Sequence, residues 1–405
     1  MKTPRKLYTP EFITINVIML FAFFNIAVFY SFYNYLGKIG IPAEWKGIIL
    51  GLEPMAAFFL RPLVISRLHA RNAPNLMTAS LLMLVAALIS YVHVVSIPGL
   101  ILLRIFHGAV FVLLVSAAFT LVVNFIPGEK SAQGFSVTSL SSLIPYAVMP
   151  PVTEWLLRYT NNEAVIYAGM AVIAVPAIVL LLFFKKRILS ALMRFEGIPS
   201  SRPTMADVRD DLGNRDIVLL FGVNFFVYIS HAMVFFFMKD FSIHAGMQNV
   251  GAFFSIYTAV MIAVRLIGGK ALDRLHKLRV LAFSLLALAI CLLGLSQTRS
   301  PGLFFVLAAC YGLCIGVGIP MLNAAVFTLS PPHYRGLNTN LSLFMMDAGF
   351  FLGPYLGGAL VAAGWGIAVT LQCCVVFLFL GFGLACVTMS RQARASGRAQ
   401  PTTDG

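Results

Sequence analysis

Apolar residues run along this chain in long unbroken blocks, without the alternation of a strand or the single apolar stripe of a soluble helix. Twelve blocks can be marked: 12–36, 46–68, 74–95, 98–126, 131–157, 164–184, 216–241, 247–272, 278–296, 301–329, 336–361 and 367–389. At ~1.5 Å of rise per residue each can cross ~30 Å of hydrocarbon, allowing for tilt. The connections are short and turn-like, as at Asn72-Ala73-Pro74, Ile126-Pro127-Gly128 and Ser330-Pro331-Pro332. The long one is 185–215. The pattern predicts an all-α membrane protein: a six-helix bundle over 1–184, a cytoplasmic central loop over 185–215, a second six-helix bundle over 216–389 and a cytoplasmic tail over 390–405. The first block is a full span with no small-residue cleavage site, so it is read as a span and not as a leader. In the central loop, Ile188, Leu189, Leu192, Met193 and Phe195 follow Lys185-Lys186-Arg187 at helical spacing, which fits a short interfacial helix. Thr204 with Asp207 three positions on could cap a second. A solvated linker between the halves is the equal alternative.

Composition removes the soluble classes. Of the 405 residues 60% are apolar and 11% charged, against about 45–50% and 25% in soluble domains. No HExxH, GxSxG or P-loop pattern is present, so neither an enzyme nor an ATP-driven pump is expected. Neither cofactor nor bound metal is called for. The six cysteines sit inside apolar blocks and read as small hydrophobes. The net charge of +14 is not a nucleic-acid signal, because the cations gather in alternate loops. The N-terminus, the even-numbered loops and the tail hold 21 of the 29 Lys and Arg, the odd-numbered loops hold 5, and Arg61, Arg104 and Arg265 lie within spans. Positive-inside places both termini in the cytoplasm of a cell whose cytoplasmic (inner) membrane the chain spans.

Shifted on itself by 204 positions, the sequence superposes its punctuation. Gly47 falls on Gly251, Arg61 on Arg265, Gly108 on Gly312, Pro127 on Pro331 and Pro150 on Pro354. Two pseudo-symmetric six-helix halves of the same orientation follow, the parallel-repeat case among transporters. Ionisable groups inside spans, costly at about 2.5–3.5 kcal/mol for Asp, Lys or Arg, occur in span 2 (Glu53, Arg61), span 4 (Arg104, His107), the outer end of span 5 (Glu154), span 7 (His231), span 8 (Arg265) and span 11 (Asp347); span 3 has only His93 near its outer end. Spans 6, 9 and 12 carry none and are fit to face lipid.

These features resemble a major facilitator superfamily transporter over essentially all of 12–389. Gly269-Lys-Ala-Leu-Asp273-Arg274 is similar to the family's G-x-x-x-D-R loop signature, Arg104-Ile-Phe-His-Gly108 to its R-x-x-x-G element, and Gly349 to Gly358 to the Gly/Pro-rich element associated with antiporters. The first-half copy of the loop signature departs, with Ile65, His69 and Ala70 in place of Gly269, Asp273 and Arg274. The span-5 copy of the antiporter element keeps Pro150 but has Met149, Thr153 and Glu154 where glycines stand in span 11. The resemblance implies a central cavity lined chiefly by spans 1, 4, 7 and 10, rocking between two states, with Gly269, Asp273, Arg274, Arg265 and His69 as gating candidates.

Asp347, near the middle of span 11, is the first candidate for proton coupling. A carboxylate at that depth is either proton-bearing or charge-paired. Glu53 and Arg104 have the signs and depths to pair, as a static tie or as a relay. Candidates for the substrate cavity are Asn25, His107, His231, Tyr228, Tyr311 and Asn323, each equally able to serve as an interhelical hydrogen bond. Arg61 and Arg265 are expected to snorkel or to join the gate. The aromatic density of spans 1 and 7 favours amphipathic organic substrates over sugars. The expected activity is proton-coupled efflux of such a compound by a monomer in the lipid bilayer, with protons and the solute as its partners. Uptake or facilitated diffusion of a metabolite or metal ion is the alternative within transport, and a transporter-like receptor the one outside it.

Overall fold

A computed structural model describes residues 7–127, 130–193, 205–247, 249–331 and 334–398. Twelve long helices account for most of them: α1 Pro10–Lys38, α2 Ala43–Arg67, α3 Ala73–Ser90, α4 Ile97–Phe125, α5 Ser131–Thr160, α6 Glu163–Met193, α7 Arg215–His244, α8 Val250–Asp273, α9 Lys277–Gln297, α10 Pro301–Leu329, α11 Arg335–Ala362 and α12 Ile367–Arg398. Eleven are long and apolar enough to cross a membrane. The exception, α5, is 30 residues long and carries Pro145, Pro150 and Pro151. Its polar side chains are turned inward: Thr138, Ser141 and Thr153 are buried, on a helix packed against α1, α6 and α8.

Two boundaries differ from expectation. Helix α6 does not end near 184 but runs on to Met193, because Ile188 and Leu192 continue its buried stripe and Arg187 donates to Glu11 of α1 at 2.6 Å. The segment is a helical extension packed on the first half, not an interfacial helix. Helix α12 likewise runs to Arg398, beyond the expected start of the tail. A seven-residue helix, Met205–Asp211, lies against the second half, where Tyr334 donates to Asp210 at 2.8 Å and Asn338 to Asp211 at 3.1 Å. The proposed Thr204 cap lies outside the described residues.

Helices α1–α6 and α7–α12 form two bundles, and α3, α6, α9 and α12 make their principal contacts inside their own half. The bundles meet along α2 against α11, α5 against α8, and α1 against α7. Glycine sets the approach at each level, and the contacts repeat with the 204-residue offset. Inside the halves, a methyl group on Gly108 would sit 2.8 Å from the Cα of Glu53, and one on Gly312 2.7 Å from the Cα of Tyr257, the position 204 further on. Between the halves, Gly47 faces the carbonyl of Pro354 while Gly251 faces Pro150 and Pro151. One turn deeper, Gly51 faces the carbonyl of Phe351 and Ser255 donates to the carbonyl of Ala147 at 2.5 Å. Each of these pairs is its counterpart with the halves exchanged, so the contact is pseudo-twofold. In membranes, where helices gain little from burying apolar surface against one another, such close backbone approach is a main source of association.

These two kinds of glycine contact separate stability from state. Gly108→Val should overfill the first bundle and lower its thermal midpoint, since overpacking costs about 1–3 kcal/mol. Gly47→Leu should leave both bundles folded and part them at the α2–α11 seam, read as faster alkylation of cysteines placed at Phe351 and Pro354.

Candidate functional site

The chemistry begins with two buried ion pairs, one in the first half and one between the halves. In the first half, Arg104 is completely buried. Its Nη2 donates to the carbonyl of Leu50 at 3.0 Å and reaches Glu53 at 3.4 Å, and its Nε donates to the carbonyl of Ile49 at 3.3 Å. Leu50 has a carbonyl to offer because Pro54, four residues on, has no N–H to return to it. The guanidinium also lies over Phe29 and Phe32, at 5.4 and 4.9 Å from the ring centres. Those rings share one side of α1 because the helix tightens to a 3₁₀ turn over Val28–Ser31, where residues three apart eclipse. Arg104 continues to the Tyr91 hydroxyl at 3.5 Å, Tyr91 to His107 Nδ1 at 3.1 Å, and His107 Nε2 to Asn25 Oδ1 at 2.9 Å. An amide oxygen only accepts, so Nε2 carries the proton and Nδ1 accepts from the tyrosine. Asn25 closes the chain by donating to the carbonyl of Ala22.

Two substrate-cavity candidates are thereby relocated. Asn25 and His107 are buried inside the first bundle with their polar atoms spoken for, so they tie α1, α3 and α4 together. The Glu53–Arg104 contact likewise lies within one half and joins α2 to α4.

The second pair crosses between halves. Arg61 of α2 grips both carboxylate oxygens of Asp347 of α11, through Nε to Oδ2 and through Nη2 to Oδ1 at 3.0 Å. Both side chains are about nine-tenths buried. Asp347 is therefore charge-paired, and Arg61 does not snorkel but points across the interface. Beside the pair, Phe58 and Phe344 stack at 4.0 Å between ring centres. Tyr228 of α7 lies within the electrostatic reach of both Asp347 and Arg265. The packing of Gly349 directly on the backbone of Tyr228 and Ile229 brings α11 that near to α7. His231, one turn from Tyr228, shares a hydrogen bond of 2.6 Å with Tyr311 and stands edge-on to Phe350 at 5.9 Å. Tyr228, His231 and Tyr311 are thus brought together around Phe350 and Tyr257, whereas Asn323 is exposed towards the far end of α10.

A third tie escaped sequence reading. Lys239 of α7 reaches Glu154 of α5 at 3.0 Å, and Tyr30 of α1 donates to the same carboxylate at 2.7 Å. Lys239 is buried although it reads as a loop cation, and its partner lies on another repeat unit. The departure of Glu154 from the glycine pattern of span 11 is the one signal that could have marked it. Of the gating candidates, Arg274 and His69 are exposed, and His69 accepts from the backbone N–H of Asn72 at 3.1 Å in a local turn, turned to its own loop. The surroundings of Gly269 and the side chain of Asp273 lie outside the described residues. Among the described residues no group of three His, Cys, Asp or Glu side chains is placed to hold a metal ion.

The arrangement of two six-helix halves meeting at a pseudo-twofold seam can be compared with known proteins. A mutant form of the nucleoside transporter NupG superposes with a TM-score of 0.75 over 94% of this chain and 99% of that one, at 13% identity. The two chains share one fold. A D-xylose-proton symporter superposes with a TM-score of 0.74 over 93% and 96% of the two chains at 11% identity. A bacterial homologue of the human lysosomal transporter Spinster, inward-facing and occupied, gives 0.72 over 94% and 97% at 12%. In sequence, the Major Facilitator Superfamily model matches residues 219–404. The MFS-type transporter pynF of Aspergillus niger is 26% identical over 149 residues, which is 36% of this chain. The match spans only 34% of that relative's own length. In this chain α2, α5, α8 and α11 form the seam between the halves, and α2 and α11 supply Arg61 and Asp347.

Removing one partner of a buried pair leaves the other charge uncompensated, at a cost of about 3–5 kcal/mol. Asp347→Asn should therefore lower the thermal midpoint of the purified protein more than the double change Arg61→Met with Asp347→Leu, which removes both charges. A double variant no more stable than the single one would show that the pair is not a closed unit.

Proposed function

We propose that this protein is a secondary active transporter that moves a small amphipathic organic compound by alternating access, with Asp347 carrying the coupling proton. The single observation that supports this reading most is the Arg61–Asp347 pair, a titratable tie buried between two bundles that must part for access to alternate. With Asp347 ionised, the pair holds α2 to α11. A proton on Asp347 cancels the attraction and frees Arg61, so the seam can open. Protonation and rocking are then the same event seen from two sides, which is what coupling requires.

The state of the seam supports a direction of access. Contacts between the halves gather towards the end carrying Gly47, Tyr33, Glu154, Lys239, Gly251 and Pro354. By the distribution of Lys and Arg this is the outer end, so the outer side is read as closed, in a cytoplasmic membrane with both termini inside. The aromatic surroundings of His231 and Tyr228 suit a solute with an apolar body. The fold is shared with a nucleoside transporter and a sugar–proton symporter, which supports transport and leaves the direction of proton flow to experiment.

The test is transport by purified protein in sealed vesicles with an imposed pH gradient, read with radiolabelled candidate solutes. Wild-type protein should concentrate a solute against its gradient, and the sign of the driving gradient separates efflux by antiport from uptake by symport. Asp347→Asn should abolish accumulation and spare exchange of labelled for unlabelled solute. Accumulation by Asp347→Asn at the wild-type rate would remove the proton assignment. A tag after Gly405 should be shielded from impermeant reagents in intact cells, and its labelling from outside would reverse the orientation.

A further inference from the structure

The pseudo-twofold seam has one missing partner. Contacts along α2–α11 and α5–α8 are exchanged copies level by level: Gly47 with Pro354 and Gly251 with Pro150, then Gly51 with Phe351 and Ser255 with Ala147. The next charged level on one side is Arg61 with Asp347. By the same offset its copy is Arg265 with residue 143, and residue 143 is leucine. Arg265 keeps the cation and has lost the carboxylate. The structure bears this out directly, since the Nε of Arg265 is buried without a hydrogen-bond partner and, among the described residues, no carboxylate lies within ion-pair distance of it.

A guanidinium at membrane depth with its Nε buried and no anion beside it is costly, and proteins retain such a group where something else supplies the charge. The neighbours indicate what that is. Tyr228, which interacts electrostatically with Arg265, adds a hydroxyl donor, and its ring stands 6.0 Å from Phe350 and 6.4 Å from His231, within an aromatic cluster. Arg265, Tyr228 and His231 are each partly accessible, unlike the sealed Arg104 network. The geometry points to a binding site for an organic anion, its carboxylate or phosphate-type head on Arg265 and Tyr228 and its apolar or aromatic body against Phe350 and His231. The bound anion takes the place that Asp347 fills for Arg61, completing the symmetry of the seam. This site deepens the transport reading and rests on it for its physiological role, although binding itself can be tested without transport.

The experiment is a thermal-shift titration of the full-length purified protein with phenylacetate, phenylphosphonate and the uncharged phenylacetamide. The two anions should stabilise the protein and the amide should not, and the stronger of the anions identifies the head group. Arg265→Gln should weaken anion binding about tenfold or more, as expected for a charged hydrogen-bonded contact. Leu143→Asp retains the arginine but supplies the missing carboxylate, and should also suppress anion binding. That second variant carries the test if Arg265→Gln does not fold. Equal shifts from acid and amide, anion shifts that survive both substitutions, or no shift with either anion would each overturn the site. An arginine-dependent shift without any gradient-driven transport would instead remove the transport reading and leave the anion site standing.

Discussion

A buried charge in a bilayer cannot be left to water, and that constraint organises this molecule. Arg104 is satisfied by a carboxylate, two carbonyls and two aromatic faces. One of those carbonyls is free only because a proline follows four residues later. Asp347 is satisfied by Arg61, Glu154 by Lys239 and Tyr30. The first of these arrangements is closed within one half and makes it a rigid body. The other two bridge the halves. One charge network thus ties helices within a half, and two ties join the halves to each other.

Glycine and proline perform the complementary task. Gly108 and Gly312 let α4 and α10 settle on the backbones of α2 and α8, and Gly47, Gly251 and Gly358 let the halves touch. Pro151 strips the N–H that would have met the carbonyl of Ala147, and Ser255 from the other half takes that carbonyl instead. A helix broken in its own hydrogen bonding is thus repaired across the seam, so the proline contributes to association where it would otherwise only weaken a helix. The polar character that keeps α5 from being as apolar as its neighbours has the same origin: it is a seam helix with buried partners on several sides.

The duplication explains both the order and its exceptions. Where the two halves carry the same residues, the contacts repeat. Where they differ, function has room. Glu53 stands where the second copy has Tyr257 and His107 where it has Tyr311, so the first half holds a sealed ionic network while the second holds an aromatic cluster around His231. Arg61 kept an acidic partner and Arg265 did not. Symmetry therefore sets the contacts that repeat, and the broken positions set the halves apart chemically.

The sequence alone determined the class, the span pattern and the two-fold repeat, because hydrophobic thickness, the positive-inside bias and the need for glycine at close approaches act on residue type and spacing directly. It also determined which residues were costly to bury: Glu53, Arg61, Arg104 and Asp347 were visible as charges at membrane depth. Only the tertiary structure decided their partners. Arg61 and Asp347 stand 286 positions apart, and no local pattern links them. Snorkelling was a fair expectation for an arginine near a helix end, but a carboxylate on the facing helix offers it more than the distant interface does. Lys239 read as a loop cation because it stands within two residues of the end of its apolar block, and Asn25 and His107 read as cavity residues because depth, which sequence gives, is not direction, which only packing fixes.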